Sequence, residues 1–272
     1  MSQSDPVHEQ WIEQYARFGY AAKGVIYGVT GLLAFRAALD IGSNETVGST
    51  GALSAIAQQP FGRTALVTIA ISLTGYVVWR FIQAFLDPEH NDNKTFKDIV
   101  RRIGYGTSGL VYASIAYSAV DILTAYSSDS GSRTPSDWAL IVMRVPLGRI
   151  FVTAGGFLFF GIGCYYFYRS FKAEFKKRLK LHKMSNVAKT WATVAGRVGI
   201  AARGVVYVVI GVYAMKAAWG FNPEMVKTTE DALATFNGNP TDEWILATLG
   251  FGFMAYGIHM FFQARYRSID PL

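Results

Sequence analysis

Lys23 and Arg203 each stand six residues after another arginine, Arg17 and Arg197, inside long apolar runs. A third arginine, Arg102, has Ser108 at the same offset. Ten residues after each arginine comes a tyrosine: Tyr27, Tyr112 and Tyr207. Nineteen residues after, the positions read plus, minus, plus: Arg36, Asp121 and Lys216. A cation in an apolar run can snorkel to headgroups, or turn inward to bind an anionic lipid or solute. A buried phenol needs a partner, so the tyrosines either bond between helices or ring a cavity. The outer trio either sits exposed at the interface or forms one ion-pair cluster, as a clasp or as a gate.

Other chemistry is poorly supplied. The four histidines are His8, His90, His182 and His259, and only His259 lies in an apolar run. The single cysteine, Cys164, is a packing residue by its surroundings and has no partner for a disulfide. No H-E-x-x-H, Walker, G-x-S-x-G or paired-Cys motif occurs. Asp121 is the one acid within an apolar run, too few for a carboxylate relay. The expectation is a non-enzyme with no metal and no cofactor.

The apolar runs set the architecture. Hydrophobic residues make up 51% of the 272-residue chain and charged residues only 17%, against about 25% charged in soluble domains. A bilayer core takes about 20 apolar residues in a helix. Six stretches qualify, at 20–39, 65–86, 103–126, 150–168, 198–219 and 244–263. No cleavable signal precedes the first. Sixteen Lys and Arg flank the spans on the N-terminal side and five on the other. The positive-inside rule then puts both termini in the cytoplasm. The same asymmetry accounts for the net charge of +7 without nucleic acid.

Three stretches share one pattern, R-φ-G-x-x-x-x-G-φ-φ-Y: residues 17–27, 102–112 and 197–207. Each continues to a Pro-centred turn, QPFGR (59–63), VPLGR (145–149) or NPTDE (239–243), and then to a second span. The third turn departs from the others, with acids in place of Gly-Arg. The chain divides into an N-terminal segment 1–15, repeats 16–90 and 101–175, a basic linker 176–195, and a repeat 196–266. On these triplicated starts it resembles the bacterial membrane family known as domain of unknown function 1206. The resemblance implies a six-helix, triple-repeat inner-membrane protein and supplies no chemistry.

Two spans per repeat give all three copies one orientation, so parallel repeats around an axis along the membrane normal are expected. The fold class is all-α: six transmembrane helices in a pseudo-threefold bundle. Gly24, Gly28 and Gly31, with Gly109, Gly204 and Gly211 at matching positions, should form the helix-packing seam. Arg17, Arg102 and Arg197 mark the cytoplasmic interface and should snorkel there. TGALSAIAQQ (50–59) reads as an amphipathic helix in the outer interface, N-capped by Thr50. The basic, aromatic segment around 169–189 reads as an interfacial amphipathic helix on anionic membrane lipids. Docking of a membrane-protein partner is the other use of that surface. Two functional classes follow: a structural, accessory or lipid-interacting membrane protein, and a small-solute or ion transporter with a cavity lined by Lys23, Arg203 and the three tyrosines.

Overall fold

The computed structural model describes residues 6–41, 47–85, 96–124, 135–145, 147–236 and 240–267. In chain order the helices are α1 (Pro6–Ala38), α2 (Ser49–Ala57), α3 (Gly62–Phe85), α4 (Phe96–Thr124), α5 (Pro135–Arg144), α6 (Gly148–Lys172), α7 (Asn186–Gly220), α8 (Thr229–Ala234) and α9 (Pro240–Tyr266). Each repeat is thus a long helix, a short helix and a second long helix. Lys94, Arg133 and His90 lie outside the described residues.

Among the described residues, five helices are long and apolar enough to cross a membrane: α1 from Ala16, α3, α6, α7, and α9 from Asp242. Helices are what these sequences must form there, because lipid offers backbone groups no partner. The sixth expected span, α4, has the length, at 29 residues. Thr107, Ser108, Ser114, Ser118 and Asp121 dilute its apolar character.

The long helices pack in an order that the repeat explains. Each first helix lies against the second helix of the preceding repeat: α4 on α3, α7 on α6, and α1 on α9, which joins the first repeat to the last. Glycine makes this approach possible. A Cβ on Gly31 would sit 2.5 Å from the Gly250 carbonyl, and one on Gly24 would sit 3.1 Å from that of Gly257. On α7, Gly211 faces the Gly156 carbonyl at 2.7 Å and Gly204 that of Gly163 at 3.2 Å. The α3–α4 seam is looser: a Cβ on Gly109 would meet side chains rather than backbone, the Phe81 ring at 3.3 Å and Arg80 Cβ at 3.5 Å. Its α3 side carries Ala70 and Val77 where α9 has Gly250 and Gly257.

Within repeats, the first motif glycine provides the approach. A Cβ added to Gly19 would lie 2.5 Å from Tyr76 Cβ, where α1 meets α3, and one added to Gly199 would lie 2.4 Å from Tyr256 Cα, where α7 meets α9. In the second repeat the matching Gly104 has nothing within 4 Å of an added Cβ. There, α4 and α6 make at most a marginal contact. Two of the three intra-repeat seams are closed and the third is open.

Short helices close the end opposite the motif arginines. Leu53 of α2 and Leu233 of α8 are fully buried in the main core. The N-cap of α2 is Gly48 rather than the expected Thr50. Thr50 instead donates its backbone N–H to Glu230 of α8 at 2.7 Å, so a neighbouring repeat supplies the capping carboxylate. The Pro-φ-Gly-Arg turns hold Phe61 and Leu147 at positive φ, 65° and 68°. The next residue must be glycine: a Cβ on Gly62 or Gly148 would lie 2.3 or 1.7 Å from a carbonyl of the short helix.

The basic segment forms no amphipathic helix. Residues Glu174–Arg178 and Leu181–Lys183 are two 3-10 turns. Phe175 is buried against His259, and Leu179 pairs with Arg267 across a single β-bridge. Phe175 and Leu179, which were to face lipid, serve instead to pin this linker onto α7 and α9.

Gly31→Ala should cost about 1–3 kcal/mol by overpacking a backbone contact. Gly28→Ala should be neutral or slightly stabilising, because a Cβ there meets nothing within 4 Å and Ala is the better helix former. Thermal unfolding in detergent distinguishes the two.

Candidate functional site

Lys23 and Arg203 both turn inward, with 3% and 6% of their surfaces exposed. Helical spacing sets this. The motif arginine lies where the apolar stretch of its helix begins, and six residues on, about 9 Å deeper, the side chain enters the bundle. Lys23 Nζ donates to the Tyr76 hydroxyl at 3.0 Å and stands 4.1 Å from the Tyr112 ring centroid and 4.4 Å from that of Tyr76. Arg203 donates to Tyr256 at 2.6 Å and to Tyr207. Its guanidinium lies 5.0 Å from the Tyr27 ring and 5.3 Å from the Tyr166 ring. Lys23–Tyr76 and Arg203–Tyr256 are the same contact in two repeats. Both partners are 53 residues apart, and both join the first and second long helices. The second repeat has Ser108 and Ile162 at these positions, aligned on its turn, and neither cation nor phenol.

The three motif tyrosines converge here. The Tyr27 and Tyr112 hydroxyls are 2.8 Å apart, and Tyr207 joins them through Arg203. They line neither of the two cavities described next. The two best-formed cavities among the described residues, about 270 and 430 Å³, lie at the opposite end. One is lined by Arg149 and Trp219, the other by Arg63 and Leu123.

The centre is positive and lacks acids: no Asp or Glu occurs among the buried polar residues described. Burying one ion costs several kcal/mol after relaxation. A desolvated cation–π contact returns about 2 kcal/mol, and a hydrogen bond to a charged group about 1.5–3 kcal/mol. Two or more rings and one hydrogen bond per cation are therefore of the size needed to hold both charges.

Towards the motif end, the chemistry continues on residues the sequence pattern did not single out. Arg80 Nε donates to Tyr76 at 2.6 Å and Arg80 NH1 to Gln83 Oε1 at 2.7 Å. In the third repeat, Arg267 donates to Gln263, whose amide lies 2.8 Å from His259 Nε2. His259 Nδ1 faces the Ala192 carbonyl at 3.3 Å. That carbonyl must accept, so Nδ1 carries the proton and Nε2 accepts from Gln263. His259 is a packed, hydrogen-bonded residue. One signal could have revealed Tyr76 and Tyr256: both lie 59 residues after their motif arginine.

The interface arginines do something other than snorkel. Arg17 donates to the Ala264 and Arg265 carbonyls at 2.6 and 2.7 Å. Arg102 donates to the carbonyls of Ala84, at 2.7 Å, and Phe85. Arg197 donates to that of Phe171 at 3.3 Å. Each one caps the C-terminus of the preceding repeat's second helix, where carbonyls lack partners and the dipole end is negative. Arg149 repeats the device at the other end, on Ala218 and Trp219 of α7. The outer trio is not assembled. Among the described residues Asp121 forms no ion pair with Arg36 or Lys216, and Lys216 lies 5.3 Å from the Tyr213 ring. Cys164 is exposed. No group of three or more metal-ligating side chains occurs among the described residues.

Fold and site together define a multi-pass, all-α membrane protein built from three tandem repeats around a buried cation–tyrosine centre. The chain belongs to the family described as Domain of Unknown Function (DUF1206), whose model matches residues 18–87, 103–173 and 198–267, one segment per repeat. It is 30% identical to the Bacillus subtilis (strain 168) protein described as uncharacterized protein YxxB, over 99% of this chain and 96% of that one. No solved structure matches.

Replacing Arg17 with alanine should lower stability by about 1–2 kcal/mol by uncapping α9. Lysine at that position should recover only part, since it brings a point charge without the planar fork. Thermal melts of the three proteins check this.

Proposed function

We propose that the chain is a six-crossing protein of the bacterial inner membrane, with both termini cytoplasmic, that acts as a structural or accessory, lipid-contacting component. The sixth crossing is α4: six crossings, and not five, return the chain to the arginine-rich side. The carrying observation is the filled centre, where Lys23 and Arg203 are buried in tyrosine rings and the cavities lie elsewhere. The pseudo-threefold ring suits a scaffold. Its outer surface is apolar on α6, where Phe151, Phe157, Tyr165 and Tyr168 face outward. At the motif end, exposed Phe171, Lys172, Lys183 and Trp191 fit an anionic leaflet, each basic residue contributing about 1 kcal/mol. A membrane-protein partner would use the same surface. Native mass spectrometry from mild detergent should show retained anionic phospholipid or a second subunit. A bare monomer that binds neither on titration would contradict this function.

A second reading, a small-solute or ion transporter, is favoured by one observation. The second repeat keeps Gly104, the close-approach glycine, on a seam that stands open. In a transporter this seam would close and reopen. A Gly104→Cys, Ile162→Cys pair in a Cys164→Ala background would then form a disulfide, whose Cβ atoms must come within about 4 Å. Under the accessory function the pair stays reduced and liposomes show no flux.

A further inference from the structure

Three buried polar atoms near Arg80 have no hydrogen-bond partner among the described residues: the Tyr20 hydroxyl, Trp79 Nε1 and Gln83 Nε2. Trp79 Nε1 and Gln83 Nε2 can only donate. Gln83 cannot be flipped to relieve this, because its Oε1 already accepts from Arg80. The Tyr20 hydroxyl can donate as well. Buried groups of this kind are normally paired, and an orphaned donor calls for an acceptor. All three side chains are at least 98% buried, on α1 and α3, in the half of the bundle near the motif end.

Their surroundings are cationic. Lys23 Nζ lies 5.8 Å from the Tyr20 ring centroid, and the Arg267 guanidinium 5.0 Å from the same ring. The Arg80 guanidinium lies 4.9 Å from the Tyr76 ring centroid and 5.2 Å from that of Tyr105, and the Tyr76 and Tyr20 rings are 5.4 Å apart. Lys23 and Arg80 both donate to the Tyr76 hydroxyl, so two cations meet on one phenol. No carboxylate is buried beside them among the described residues. Excess positive charge and unpaired donors, with no buried carboxylate among the described residues, together describe a receptor for an anion.

We infer that the α1–α3 region around Tyr20, Arg80 and Gln83, next to Lys23, binds an anionic phosphate group, either free phosphate or the phosphodiester of a lipid headgroup. The Tyr20 hydroxyl and the Gln83 amide donate to its oxygens, and Arg80 and Lys23 supply the neutralising charge. The site is asymmetric. At the place of Tyr20 and Gln83 the third repeat has Ile200 and Gln263, and Gln263 is engaged with His259 and Arg267. One anion is therefore expected per chain. This inference stands apart from the choice between accessory and transport roles, since either can use such a site.

The test is thermal unfolding of the full chain in neutral detergent. Sodium phosphate is compared with sodium chloride at equal ionic strength, and micelles doped with phosphatidylglycerol with micelles doped with phosphatidylcholine. Wild type should be stabilised by phosphate, by phosphatidylglycerol, or by both; phosphate alone identifies a free anion and phosphatidylglycerol alone a headgroup. Tyr20→Phe keeps both ring contacts and removes only the orphaned hydroxyl. Without anion it should melt at or above the wild-type temperature. Its anion affinity should fall about tenfold or more, the scale of one hydrogen bond to a charged acceptor. Lys216→Gln, a distant cation change, should leave the shift intact. No anion-specific shift in wild type, or a full shift in Tyr20→Phe, overturns the inference.

Discussion

Two positive charges lie inside an apolar bundle with no buried carboxylate among the described residues, and tyrosine alone supplies their partners. The arrangement of the first and third repeats follows from this. Lys23 on α1 needs Tyr76 on α3, so these helices must approach; Arg203 on α7 needs Tyr256 on α9 for the same reason. Gly19 and Gly199 permit that approach, a few residues from each cation. The Tyr27–Tyr112 hydroxyl pair then brings in α4. Cation, phenol and glycine form one unit, and it is present twice.

The second repeat shows what happens without it. Ser108 replaces the cation and Ile162 the phenol, and α6 makes at most a marginal contact with α4. Helix α6 still packs on α7 through Gly156 and Gly163. The repeats are therefore joined at the seams between them, by close glycine contacts at α1–α9 and α6–α7, while the second repeat stands open within itself. Charge pairing inside a repeat and glycine packing between repeats are separate devices, and the chain uses them independently.

The repeat and the seam glycines were legible in the sequence because they depend on identity at fixed offsets, and five of the six expected spans because they depend on apolar length. The inward turn of Lys23 and Arg203 was not, since a cation about 9 Å inside a helix end can reach either way. Tyr76, Tyr256 and Arg80 carry the other half of the centre, and they sit on second helices whose motif is too sparse to stand out. The arginine caps were hidden for another reason. Arg17 serves a helix more than 240 residues away, and only the cyclic order of the repeats puts it there. The 3-10 form of the basic linker depends on Phe175 docking beneath His259, a tertiary contact that overrides the amphipathic pattern. The outer plus-minus-plus trio marked equivalent positions in the three repeats, but equivalence in sequence does not fix contact.

Double-mutant cycles on the two cation–phenol pairs test the role of the centre most directly. Lys23→Met with Tyr76→Phe, and Arg203→Met with Tyr256→Phe, are measured by thermal or denaturant unfolding in one detergent. If the pairs organise the bundle, each cycle gives a coupling energy of about 1 kcal/mol or more. A matching Ser108→Ala, Ile162→Ala cycle gives none. Additive losses in both cation–phenol cycles would contradict that role, and would leave glycine packing as the sole source of the architecture.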